Sequence, residues 1–289
     1  MAQDLVVCLL GLKFTMFFKI FAGVAKVAMS DADESRLVVG LIDENGERLE
    51  LAQPVLTEMY LDAWLSNLLN SMRLTVACSL VETLSADTDI PVSSVQVAVL
   101  SMNVKFGQHL RSCFGMQQPD LAMAALRVEI NQLWERTANA LDSSSLSLLS
   151  RKMAVMRLMT MQQHLHVLEL LSRAPVLESS FEWQAQLRYS MEDGHDPDET
   201  LLNPRPKAAP PPTNTAKARR ASYMAAPAVV TSPFPLAGVA CIVRIGNVGL
   251  EYGYEYIGSA DRLVLTPPTV RHRRFALRPV CACAAAEPS

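Results

Sequence analysis

Histidine is the residue best suited to acid–base or metal chemistry at neutral pH, and this chain has five, His109, His164, His166, His195 and His272. His164 and His166 come closest to a pair. Two apart on a helix, they point to different sides, whereas a shared ion needs spacing such as i, i+4. No cysteine or carboxylate cluster adjoins them, so the spacing assigns no metal site. The cysteines, Cys8, Cys78, Cys113, Cys241, Cys281 and Cys283, are scattered apart from the last two and lack zinc spacing. Reduced thiols are the expected state. Serines and aspartates are plentiful, yet no strained nucleophile elbow presents a serine to a base. One modification motif stands out: Arg219-Arg220-Ala221-Ser222 fits a basic-directed kinase, with Ser222 as the candidate phosphosite.

Charge excludes further classes. The 26 Lys and Arg are outnumbered by 29 Asp and Glu, so no basic face is expected for nucleic acid. The apolar run Leu5–Leu12 is short, and Asp4 stands where a signal peptide carries positive charge. No stretch approaches the roughly 18 uncharged apolar residues of a membrane span. The expectation is an intracellular soluble protein with core enough for one or two domains.

The stretch Val243–Thr269 mixes β-branched and aromatic residues with glycines, which suits short paired strands and tight turns. Tyr252, Tyr254 and Tyr256 alternate, and on a strand they would share one face packed on a core.

The elements that position this stretch are mostly helical. Phe17–Val27 has apolar residues at helical spacing. Residues 36–51, RLVVGLIDENGERLEL, read as a hairpin turning at Asn45-Gly46, where positive φ is cheap. After Pro54 a helical stripe runs through Trp64, Leu65, Leu68, Leu69 and Met72, with Trp64 as core. Ile90–Phe114 and Pro119–Leu141 read as two more helices, the second with proline in its first turn. Leu146–Ser172 is a fourth, whose Met153, Met156, Met159 and Met161 serve as flexible core filler. Between Met191 and Ala240 an acidic run gives way to a proline-crowded tract. So little apolar surface cannot offset the entropy of ordering, and a disordered insertion is expected.

Two unusual strings, in this order, resemble dynein heavy chains. Phe181-Glu182-Trp183-Gln184-Ala185-Gln186-Leu187-Arg188-Tyr189 is similar to the family's F-E-W-x-x-Q-L-R-Y segment at the end of its linker domain. LEYGYEYIG (residues 250–258) and then RLVLTP resemble the start of the first AAA+ module, where the linker hands over to the motor ring. Weaker likenesses run through the Phe17–Val27 segment, the hairpin, the LDAWLSNLLNSMR helix and His164-Leu165-His166, which is similar to the family's V-H-x-H. Asn103-Val104-Lys105-Phe106 departs from the family's Q-x-x-W.

The resemblance implies a mainly α, elongated helical bundle with an early hairpin and a small β element near 242–266. It divides the chain into an unassigned 1–16, a linker-like 17–190, an insertion 191–240, a junction 241–269 and an unrelated tail 270–289. It implies a structural role for Trp64, Phe181, Trp183, Gln186, Leu187, Arg188, Tyr189, Tyr252, Gly253, Tyr254, Glu255 and Tyr256. Leu263, Val264, Leu265, Thr266 and Pro267 would lie beside the adenine of the first nucleotide site. The phosphate-cradling loop G-x-x-x-x-G-K-[ST] that comes next in the family occurs nowhere in the 289 residues. No cofactor is therefore expected on this chain alone, and no ATPase activity, while ATP and Mg²⁺ belong to the intact family. The expected partners are the rest of a heavy-chain ring and, through a whole motor, the dynein complex and microtubules, in the cytoskeleton and most naturally a ciliary axoneme. Two readings stay open: a force-transmitting fragment of such a motor, or a stand-alone helical scaffold derived from one.

Overall fold

The computed structural model describes residues 21–30, 36–57, 60–86, 94–141, 146–173, 178–193, 239–246 and 248–259. Strands β1 (Lys26–Met29), β2 (Leu37–Ile42) and β3 (Arg48–Leu56) form one antiparallel sheet in that order. Next along the chain come helices α1 (Leu61–Ser85), α2 (Val95–Phe114), α3 (Pro119–Leu141) and α4 (Leu148–Leu171). A single turn, α5 (Phe181–Gln184), leads into a second antiparallel sheet of β4 (Arg188–Asp193), β5 (Val239–Ile245) and β6 (Val248–Glu251). The fold is mainly helical, as the sequence pattern predicts, with the early hairpin in place. None of the described helices is long and apolar enough to cross a membrane.

The hairpin forms where expected, with Gly46 at φ 81° in the turn. Pro54 lies in the outermost strand, in the stretch where the β2–β3 register shifts, and this is the place a sheet tolerates a missing N–H. Ser94 and Ser147 cap α2 and α4, each accepting from a backbone N–H three residues on. Pro119 opens α3.

The helix expected through Val27 is not found over Lys26–Met29. Those residues pair with β2 as a third strand, because sheet pairing satisfies their backbone more fully than two turns of isolated helix. The small β element also differs from expectation. It recruits Arg188–Asp193, which run into the start of the acidic tract, so Met191–Asp193 and Val239–Ala240, expected to belong to the insertion, are ladder residues. The remainder of that tract lies outside the described residues.

Helix α2 is the hub. Val95 to Ser101 are all buried, so the helix is enclosed around its whole girth, with Gln96 and Ser101 as its buried polar residues. Its Val97, Leu100 and Val104 join the first sheet, α1 and Tyr254 and Tyr256 in one core. Its Phe106, Leu110 and Cys113 join α3, α4 and Trp183 in another. Gly107 lets β4 come close: a Cβ there would stand 2.7 Å from the Tyr189 carbonyl oxygen.

Gly107→Ala should therefore push β4 from α2 and cost about 1–3 kcal/mol, measurable by urea denaturation. A second expectation concerns residues 194–238. Asp193 pairs with Val239 in register, so the connection leaves and returns at one point. Replacing those 45 residues with a four-residue turn should preserve the cooperative melt. The loop-closure term then falls by about 2 kcal/mol, so the melting temperature should not drop.

Candidate functional site

After β6 the chain does not continue as a strand. Residues 252–259 run as a strap across the first sheet's turn and the start of α2, and Tyr254 takes a positive φ of 53°. The alternate-face strand expected for the tyrosines is thus replaced by an irregular path, in which each ring finds its own partner. Tyr256, with no exposed surface, donates its hydroxyl to Glu47 Oε2 at 2.7 Å. The Tyr254 hydroxyl accepts from the Cys241 amide at 2.9 Å, and its ring meets that of Tyr252 edge-on at 5.3 Å. The Tyr252 hydroxyl accepts from Gln96 Nε2.

Two carboxylates of the hairpin turn receive the strap. Asp43 Oδ1 accepts from the amides of Asn45 and Glu47, folding the turn, and Oδ2 accepts from the amide and hydroxyl of Ser259. Glu47, only 1% exposed, accepts from Tyr256 and, at 2.6 Å, from the Val95 amide at the start of α2. That helix terminus favours negative charge. Gln96 grips the strap backbone from both sides, donating to the Glu255 carbonyl and accepting from the Ile257 amide. Glu255 pairs with Arg73 of α1 at 2.8 Å. At Gly23 a Cβ would collide with the Ile257 backbone at 2.3 Å, and Gly258, at φ 63°, passes against Asp43. Gly253 meets no comparable crowding.

The second motif builds another joint. Trp183 is buried beside Phe114 of α2, with rings 5.9 Å apart, and the Arg188 guanidinium lies 5.9 Å above it. Arg188 also donates to the Gly246 carbonyl, while the Gly246 amide donates to the Gln184 carbonyl. The β5–β6 turn is thereby tied to α5. Buried Gln186 donates to the Glu182 carbonyl, and Tyr189 lies in β4. Phe181 faces outward, 72% exposed. Trp64 is core, as its stripe predicts.

Electrostatics reflects burial. Burial pushes the Asp43 carboxyl up, but its hydrogen bonds from Ser259, Glu47 and Asn45 outweigh that and hold it below the usual range. Burial wins at Glu47, which is raised despite the bonds from Val95 and Tyr256. Burial drives Tyr254 and Tyr256 well above an ordinary phenol and the Cys241 thiol to about 12. These tyrosines and this thiol stay protonated at neutral pH, so they supply neither base nor nucleophile.

His164 stacks on Phe106, rings 4.0 Å apart, and bonds Asn103 Oδ1. Among the described residues no group of three or more His, Cys, Asp and Glu is placed to hold a metal. A cavity between α2, α4 and the Trp183–Tyr189 segment, which includes Leu187, has about 20 Å³. That admits a water-sized guest and not a nucleotide. Leu263–Pro267 and Ser222 lie outside the described residues.

No protein-family profile matches the chain. Over 243 residues, 81% of this chain, it is 24% identical to dynein axonemal heavy chain 2 of Mus musculus, of which it spans 4%. The chain is distantly related to dynein heavy chains. Both strings that resemble that family form joints between elements. Sequence reading missed the receiving side, Asp43, Glu47, Arg73, Gln96 and Ser259. The aspartate opening D-E-N-G-E was a legible turn signal, but its bond to Ser259, 216 residues away, was not.

Glu47→Ala leaves the Val95 amide and the Tyr256 hydroxyl without their acceptor, and should cost about 2–3 kcal/mol in denaturant unfolding. Glu47→Gln should cost far less, since its carbonyl serves Val95 and its amide can donate to the tyrosine oxygen. The pH dependence has opposite signs at the two carboxylates. A raised folded pKa stabilises below the unfolded value of about 4.5 and loses that contribution as pH rises through the folded value. Relative to the native chain, Glu47→Gln should therefore gain melting temperature as pH rises from 4.5 to 8. Asp43 contributes above about 3.8 and loses it as pH falls through its lowered value. The penalty of Asp43→Asn should shrink in acid.

Proposed function

We propose that this chain is the force-transmitting part of a dynein-type heavy chain, a helical linker that leads through residues 252–259 toward a nucleotide-driven AAA+ ring. The observation that supports it most is a coincidence of likeness and geometry. The strings that resemble the family, residues 181–189 and 250–258, are where the second sheet is fastened to the helices and the strap to the first sheet. A segment that carries load needs joints of this kind, and helices packed on a shared core move as rigid units.

On this reading the chemistry resides elsewhere. The strap's polar groups support this, being engaged with Asp43, Glu47, Arg73 and Gln96 rather than offered to a ligand. ATP and Mg²⁺ belong to the ring, with Leu263–Pro267 approaching the adenine. Partners are the rest of the heavy chain and, through the whole motor, microtubules. The likeness to an axonemal relative favours a cilium or flagellum as the setting. Phe181 and Ile257, both outward-facing, are the side chains best placed to meet the ring. Ser222 is the proposed phosphosite.

An antibody raised against residues 21–259 tests the reading. In axonemal extracts it should detect a heavy chain many times the mass of this chain, which pellets with microtubules and is released by ATP. A free species of this chain's own mass, indifferent to microtubules, would replace the motor reading with the stand-alone scaffold.

A further inference from the structure

We infer that residues 255–259 form a latch that opens and closes as a unit of its own, separately from the second sheet that immediately precedes it, with Glu47 as its keystone. Strands β4, β5 and β6 are joined by an ordinary backbone ladder. The bonds that hold residues 255–259 run instead to side chains of other elements. Ile257 is held by Gln96, Tyr256 by Glu47, Ser259 by Asp43 and Glu255 by Arg73.

All four receivers belong to the first sheet's turn, α1 or α2, and none to the second sheet. The second sheet has its own fastenings, the bidentate Arg244–Glu192 pair across β4 and β5 and the Arg188 bond to Gly246. The receivers are also coupled. Asp43 accepts from the Glu47 backbone amide, so the turn that seats the Glu47 carboxylate is itself folded by Asp43.

The segment has no ladder of its own among the described residues and is held by a few side-chain bonds and one buried ring, Tyr256, with Glu255 and Ile257 partly exposed, so it can open at lower cost than the laddered sheet. Closed, the latch pins its Ser259 end to the helical body. Open, it leaves that end, among the described residues, tethered through Tyr252, Tyr254 and the second sheet. The latch stands on the fold alone, whatever work the chain performs.

Hydrogen exchange on the full 289-residue chain tests it, with the amides of Ile257 and Ser259 as reporters and those of 188–193 and 241–245 as the reference. In the native chain the reporters should exchange faster than the reference. Glu47→Ala should speed the reporters about 10- to 100-fold, the equivalent of losing a hydrogen bond to a charged group, and leave the reference unchanged. Glu47→Gln should restore near-native rates. Should Glu47→Ala unfold the chain, Ser259→Ala makes the same test more gently, with the Ile257 amide as reporter and an acceleration of about tenfold. Reporter and reference accelerating in step under Ser259→Ala, or no acceleration of Ile257, overturns the latch. Neither result bears on the relationship to dynein, which the antibody experiment addresses separately.

Discussion

A carboxylate with 1% of its surface exposed cannot be left without donors, and Glu47 is in that position. Its two donors come from elements far apart in the chain, the first amide of α2 and a tyrosine that follows the second sheet. Satisfying one buried charge therefore fixes the hairpin turn, the start of the hub helix and the strap relative to one another. Asp43 repeats the device at a neighbouring point, and its four donors explain why its acidity moves the opposite way. Polar networks of this sort set geometry more than they add stability.

Around that point the apolar packing is divided. One core lies between the first sheet, α1 and the front of α2; the other gathers the rear of α2 with α3, α4 and Trp183. Helix α2 belongs to both, which is why its first two turns show no exposed face. The Trp183–Arg188 joint does for the second core what the strap does for the first. Each brings a sheet against helices through an aromatic ring with a polar handle.

How much of this was legible depended on sequence distance. The four helices were readable from their periodicity, and the hairpin from Asn45-Gly46, because these signals are local. Lys26–Met29 misled because an apolar pattern two turns long fits helix or strand alike, and its pairing with β2 decided the matter. Tyr252, Tyr254 and Tyr256 have strand spacing, yet the left-handed backbone at Tyr254 breaks the alternation. That conformation is set by partners at positions 47, 96 and 241, which no window around the tyrosines contains. The acidic run that begins at Glu192 reads as the start of a disordered insertion, but Glu192 is paired with Arg244 more than fifty residues on.

The bond between Asp43 and Ser259 spans 216 residues, and this has a consequence for biosynthesis. A ribosome adds about 5–20 residues per second, so the hairpin turn waits about 10–40 s before its strap exists. Throughout that interval two carboxylates destined for burial remain hydrated, and the groove that will hold Tyr256 stands open. The fold must therefore close late and over long range, which is the slow regime for contact formation. A nascent chain of this kind has its greatest need of chaperone protection just before residues 252–259 emerge.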